Sequence, residues 1–215
     1  MWHSHSGLQR ADGLFGAFIV RQKSEEEKIG SFYDFDLSEH VIVMNDWYDY
    51  PIALSFALHV HYDRSRFNWA DSILINGRGS SKKTNYTLDS KNYLTPKALF
   101  RVKSGFRYRF RLIHAGISHC AFQISIEDHD FKIIATDGHY VEPFDVQTLV
   151  IYPGERFDIV VKANRNKSAS YLIKVKGLGN CQNAKAFETA YLVYDDNKIV
   201  NKEIAYESLD VSGKV

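Results

Sequence analysis

From residue 40 onward, short apolar runs alternate with polar positions at a period of two, the spacing of half-buried strands. "HVIVMNDW" and "SILINGRG" are rich in β-branched residues and end at turn formers. "ALFRVKSGFRYRFRLIHAG" alternates on both sides of Ser104-Gly105 and predicts a hairpin there. "CAFQISIEDHDFKIIATDG" predicts a second hairpin across Glu127–Asp130, and "TLVIYPGERFDIVVKA" a third at Pro153-Gly154. "SYLIKVKG" and "TAYLVYDD" bring the total to roughly eight or nine strands. That number and spacing predict an all-β, Greek-key β-sandwich. Ile52, Phe56 and Val60 recur at i, i+4 and i+8, which predicts one short helix from Ile52 to Asp63.

The pattern divides the chain unevenly. Residues 1–21 hold two β-like segments, and such a pair with nothing to pack on is not a stable unit. They read as the end of a domain whose beginning lies outside the sequence. Residues 22–39 are a connector carrying the charged "KSEEEK" stretch, and residues 40–200 are a self-sufficient sandwich. Residues 201–215 lose the pattern and read as the start of a linker.

Composition narrows the function classes. The 215 residues hold one large domain, or one domain and a piece of another. A net charge of +1 with no basic block argues against a nucleic-acid partner. The "FRYRFR" run reads as a strand with one apolar and one charged face, not as a base-stacking platform. No apolar run is long enough to span a membrane, and the polar start after Met1 is not a signal peptide. Asn85-Tyr86-Thr87 and Asn166-Lys167-Ser168 match the glycosylation sequon and suggest an extracellular history, chance matches being the alternative. Cys120 and Cys181 form an even pair. Bonded, they would close a long loop and contribute roughly 4 kcal/mol in the chain-entropy account; two reduced, buried thiols are the other reading. Phosphate-binding glycine loops and Gly-x-Ser-x-Gly nucleophile elbows are absent from the sequence.

The candidate chemistry lies at the start. In "MWHSHSGLQRADGLFG", strand alternation puts His3 and His5 on one face with Ser4 turned back. Two neutral imidazoles so placed can bind one metal, or two lying side by side. A completing third or fourth ligand is not evident in the first sixteen residues. His59 and His61 also read His-x-His, but on a helix they splay apart and read as surface residues. His40, His114, His129 and His139 are scattered at strand ends and turns, as solvated or core-satisfied groups.

"WHSHSGLQRADGLFGAFIV" resembles the second copper-ligand motif of the multicopper oxidases. "NDWY", "LINGRG", "YRFRLIHAG", "ATDGHYVEP" and "PGERFDIVV" are similar to landmarks of that family's middle cupredoxin-like domain, most of all in laccases of the animal, insect-like kind. The resemblance is colinear over nearly the whole chain. It implies a cupredoxin-like sandwich preceded by an incomplete strand segment of a first cupredoxin domain. It implies that His3 and His5 each bind one copper of a type 3 pair, and that Asp12 supports the cluster or relays protons. A turn-forming Asp before Gly13 is the alternative for Asp12. It also implies a Cys120–Cys181 disulfide. The type 1 and type 2 copper motifs are not encoded here: "SHCAF" places Ala121 where a second histidine would follow His119-Cys120. The implied parent is a secreted laccase-like oxidase with further cupredoxin domains on either side. It would oxidise phenolic or metal-ion reductants one electron at a time and reduce dioxygen to water. A truncated, non-catalytic cupredoxin-like module is the competing reading.

Overall fold

The computed structural model describes residues 1–49, 51–62, 70–79, 87–88, 91–92, 96–118, 120–165, 169–183 and 185–194. The sequons at Asn85 and Asn166, His119, and residues 201–215 lie outside the described residues. The chain opens with β1 (Trp2–His3) paired antiparallel to β2 (Phe15–Gly16). After a 3₁₀ turn at Gly30–Phe32 come β3 (Phe35–Trp47), α1 (Ile52–Tyr62) and β4 (Ser72–Ile75). Two short strands, β5 (Thr87–Leu88) and β6 (Lys91–Asn92), precede β7 (Leu99–Val102) and β8 (Arg107–His114). Next are β9 (Phe122–Ile126), β10 (Phe131–Thr136), β11 (His139–Val146), β12 (Thr148–Ile151) and β13 (Arg156–Lys162). The last are β14 (Ser170–Gly177), α2 (Asn180–Asn183) and β15 (Phe187–Tyr194).

Two sheets pack face to face, one of six strands in the order β11-β10-β13-β8-β3-β4 and one of five in the order β12-β9-β14-β15-β7. Pairing is antiparallel except for β3 with β8 and β15 with β7. The core between them is a single cluster. Ile42, Met44, Phe110, Leu112 and Ile159 of the six-stranded sheet meet Phe100, Phe122, Ile124, Val175 and Leu192 of the five-stranded one. This is the sandwich that the period-two pattern predicts.

The three predicted hairpins are a different matter. Each of those turns carries the chain from one sheet to the other: β7 to β8, β9 to β10, and β12 to β13. Two amphipathic strands joined by a turn fill one core equally well side by side or face to face. Periodicity and turn chemistry do not separate these cases. A true two-residue hairpin joins β10 to β11 at Asp137-Gly138, with φ of 50° and 86°. The β11 strand escapes the pattern because it is an edge strand with both faces largely exposed, and it tolerates Pro143 for that reason. The helix is described over Ile52–Tyr62, and its predicted last residue, Asp63, lies outside the described residues. Ile52 is buried, whereas Phe56 and Val60 are 42% and 59% exposed, so the apolar row does not turn wholly into the described core.

β3 begins at Phe35, inside the predicted connector, and its register against β8 shifts between Asp36 and Val41. The early half of β3 places Asp36 on the outer face of the six-stranded sheet. On β8, Tyr108, Phe110 and Leu112 point into the core and Arg109 and Arg111 point outward. That charged face is not solvated. The connector crosses it, seating Ile29 on Ile134 and Val160 with Phe32 and Tyr33 packed alongside. The sulfurs of Cys120 and Cys181 lie at bonding distance with Cα atoms 5.7 Å apart, which sets the β8–β9 loop beside α2.

The Asn76-Gly77 turn after β4 offers a modest test of these assignments. Asn76 has φ of 50°; its Oδ1 accepts from Val43 N at 2.7 Å, and its Nδ2 donates to Val41 O at 2.9 Å. Asn76→Ala is expected to lower stability by about 2 kcal/mol, two exposed hydrogen bonds at about 1 kcal/mol each. Urea unfolding should show a lower midpoint at constant slope. An unchanged midpoint would show that the turn does not anchor β3.

Candidate metal centre

The β1–β2 pair is a small hairpin held by its own backbone. Ser4 N donates to Leu14 O at 2.9 Å, Leu14 N to Gln9 O at 3.0 Å, and Asp12 N to Leu8 O at 3.2 Å. Gly13 has φ of 102°, which only glycine adopts readily. Gly16 is required for a different reason: a Cβ there would lie 2.6 Å from Nε1 of the Trp2 indole, which packs over it.

This hairpin brings His3, the last residue of β1, near His5, which lies past the strand rather than in its alternation. Their ring centroids are 6.0 Å apart and the planes are tilted by 37°. His3 is half-buried and His5 is exposed. His3 Nδ1 lies 3.0 Å from Ser4 O. A carbonyl can only accept, so Nδ1 carries the hydrogen and Nε2 presents its lone pair outward. That is the tautomer a metal ligand needs, and the backbone carbonyl is the kind of outer partner that orients one. Copper fits this donor set, since imidazole suits it and each ring can serve its own ion. Among the described residues, no group of three or more His, Cys, Asp or Glu side chains is placed to hold a metal.

Asp12 is placed elsewhere in the hairpin. Its Oδ1 accepts from Ile52 N, the first residue of α1, at 3.3 Å. Asp12 also lines a cleft of about 300 Å³ with Asn45, Trp47, Tyr48 and Asp49. The structure thus gives Asp12 a capping contact and an open neighbourhood.

Residues outside the candidate ligand set, Arg10 and Asp46 among them unremarked in the sequence, join the hairpin to the sandwich. Arg10 donates from Nε to Ala115 O at 3.0 Å and from Nη2 to Gly116 O at 2.8 Å. Asp46, buried on β3, accepts from Ile117 N at 3.0 Å and Ser118 N at 2.6 Å. His114 accepts from Gly116 N at its Nδ1 and so donates from Nε2 to Cys120 O, both at 3.1 Å. Burial pulls His114 down to about 4, against the opposing pull of Asp46. No spacing rule reveals these partners, which lie 105 and 106 positions from Arg10. His40, His114 and His129 prove to be buried core groups, His139 is exposed, and His61 is exposed on α1.

A family model described as multicopper oxidase matches residues 38–197. Laccase-3 of Thanatephorus cucumeris is 31% identical over 197 residues, covering 92% of this chain and 32% of the relative. A laccase of Trametes hirsuta is 30% identical over 194 residues, covering 90% and 34%. The crystal structure of a laccase from Botrytis aclada superposes with a TM-score of 0.71 at 28% identity, covering 94% of this chain and 35% of that one. The chain therefore spans about a third of the length of the relatives it matches. With a two-sheet sandwich, a paired-imidazole hairpin ahead of it and a family match across most of the sandwich, this chain belongs to the multicopper oxidase family.

Proposed function

We propose that this chain is the copper-ligand hairpin and middle cupredoxin-like domain of a laccase-like oxidase. In this reading residues 1–21 close a first cupredoxin domain, 22–39 connect, 40–200 form the middle domain, and 201–215 lead to a third. The parent enzyme takes single electrons from phenolic or metal-ion reductants. Four electrons and four protons convert dioxygen to two waters. Copper, when bound, supplies the redox chemistry. His3 and His5 supply one imidazole to each ion of a type 3 pair, with Nε2 the donor atom on His3. Asp12, from its place in the cleft at the start of α1, supports the cluster or relays protons toward it. The middle domain spaces its neighbours and contributes loops to the reductant pocket. The Cys120–Cys181 pairing as a disulfide, glycosylation at Asn85 and Asn166, and secretion of the parent belong to the same reading.

The observation that supports it best is the juxtaposition of the two rings, with His3 Nδ1 facing a carbonyl. The lack of a third ligand among the described residues favours a second reading for the 215 residues taken alone: a non-catalytic module that binds copper weakly. Copper titration of the chain distinguishes the ligand assignment from chance. His3→Ala or His5→Ala should weaken binding at least as much as the roughly 10–100-fold loss seen when a ligand's outer partner is removed. Equal binding by the double variant would overturn the assignment.

A further inference from the structure

The hairpin bearing His3 and His5 is seated on the sandwich by a fork. Arg10 is half-buried, and its guanidinium addresses two successive carbonyls, Ala115 O and Gly116 O. A planar fork can meet two acceptors at once, which a lysine ammonium does less well.

The acceptor loop is built in advance. Its carbonyls turn outward because its N–H groups turn inward. Ala115 N donates to Met44 O at 2.7 Å, Gly116 N to His114 Nδ1, and Ile117 N and Ser118 N to the Asp46 carboxylate. A Cβ on Gly116 would lie 2.8 Å from His114 Cε1 and 2.9 Å from Asp46 Cγ, so this approach requires glycine. Cys120, two residues past Ser118, is fastened to Cys181 at bonding distance.

The hairpin side is equally connected. Gly13 N donates to Arg10 O at 3.2 Å, and Leu14 N to Gln9 O at 3.0 Å. Ser4, the residue between the two histidines, donates its N–H to Leu14 O and its hydroxyl to Gln9 Oε1. A rigid path thus runs from Asp46 and His114, through the 115–118 loop and Arg10, to the backbone of Ser4.

We infer that Arg10 is the positioning residue of the paired-imidazole site, fixing the His3–Ser4–His5 segment against the middle domain through the Ala115 and Gly116 carbonyls. The ligand half of this statement rests on the proposed copper function; the anchoring half does not.

The test uses the whole chain with two readouts. The first is amide hydrogen exchange without metal. Arg10→Ala should speed exchange at Ser4 and Leu14 by about tenfold or more while β8 and β13 keep their protection. Arg10→Lys should fall between, and Gly116→Ala should reproduce the effect from the acceptor side. The second is Cu(II) titration of the whole chain. Arg10→Ala should weaken copper binding in the same direction as His3→Ala or His5→Ala, with Arg10→Lys between it and the native chain. Unchanged exchange at Ser4 and Leu14 in Arg10→Ala would overturn the inference. So would copper binding in that variant equal to that of the native chain. If exchange rises but the double variant His3→Ala with His5→Ala binds copper as the native chain does, the anchor stands and the copper reading of His3 and His5 falls.

Discussion

Replacing Arg109 with methionine is expected to lower the stability of this chain by about 3–5 kcal/mol, the range for breaking a buried ion pair by removing one partner. Arg109 is 7% exposed at its side chain. Its Nε and Nη2 donate to Asp158 Oδ2 at 3.0 and 2.5 Å, and its Nη1 donates to the Tyr33 hydroxyl at 3.1 Å. Glu27 and Asp36 approach within 3.5 and 3.8 Å, and the guanidinium lies 5.3 Å from the Tyr33 ring centroid. Burial disfavours its charge, but Asp158 and Tyr33 more than compensate, so its pKa is raised. Removing it strands the Asp158 charge on one weaker contact, Arg111 Nε at 3.9 Å, and leaves Glu27 the Tyr140 hydroxyl at 2.8 Å, while Asp36 keeps Arg111 and Arg21. The connector loses the Glu27 and Tyr33 contacts to the guanidinium but keeps Asp34 on Arg107. Urea unfolding should show the loss, and proteolysis should open the connector near Lys23 and Lys28. The double variant with Asp158→Asn should be less impaired than the sum of the two single changes, because it removes the stranded charge. A loss under about 1 kcal/mol would mean the network is solvated in solution.

That network also shows what was legible in the sequence and what was not. Alternation along "FRYRFR" already puts Arg109 and Arg111 opposite Tyr108 and Phe110. It does not show that residues 22–34 fold back to bury them, because Glu27 and Asp158 meet Arg109 from distant parts of the chain. His3 and His5 were legible as candidates because they are close in the chain, although β1 ends at His3 and their approach to 6.0 Å is set by the hairpin, not by strand alternation. Arg10 was not, since its acceptors are carbonyls whose direction depends on Asp46 and His114. The sandwich emerged from periodicity, but its wiring did not. A turn such as Pro153-Gly154 reads the same whether the next strand lies beside the last or across the core. Only the pairing of β12 with β9, and of β13 with β8, decides it.

Acid should unfold this protein well before its carboxylates are fully protonated. His40, His114 and His129 are buried, each using a ring nitrogen to reach a backbone carbonyl: Arg101 O at 2.8 Å, Cys120 O at 3.1 Å and Glu127 O at 2.6 Å. Since those nitrogens donate, the opposite one holds the lone pair. On His114 it accepts from Gly116 N, on His129 it accepts from the Tyr194 hydroxyl at 2.6 Å, and on His40 Nδ1 has no partner among the described residues. Protonation would turn each acceptor into a donor facing a donor or an apolar wall. Burial accordingly lowers all three pKa values from 6.5, His114 to about 4. The unfolded chain therefore binds these protons first as pH falls. Stability is fully present above about 6.5, the unfolded value, and is lost as pH falls toward the folded values. His114 alone contributes roughly 3 kcal/mol over that window, at 1.36 kcal/mol per unit, and the other two add in the same direction. Asp34 and Asp36, held below their ordinary 3.8, titrate lower and act after the histidines. Urea midpoints at about pH 7.5 and about pH 4.5 measure the effect, with a slope reflecting uptake of between about one and three protons on unfolding. His114→Gln should flatten that slope by close to one proton. A midpoint that does not move between these pH values would show that the three rings are not held neutral, and the tautomers assigned to them would be wrong.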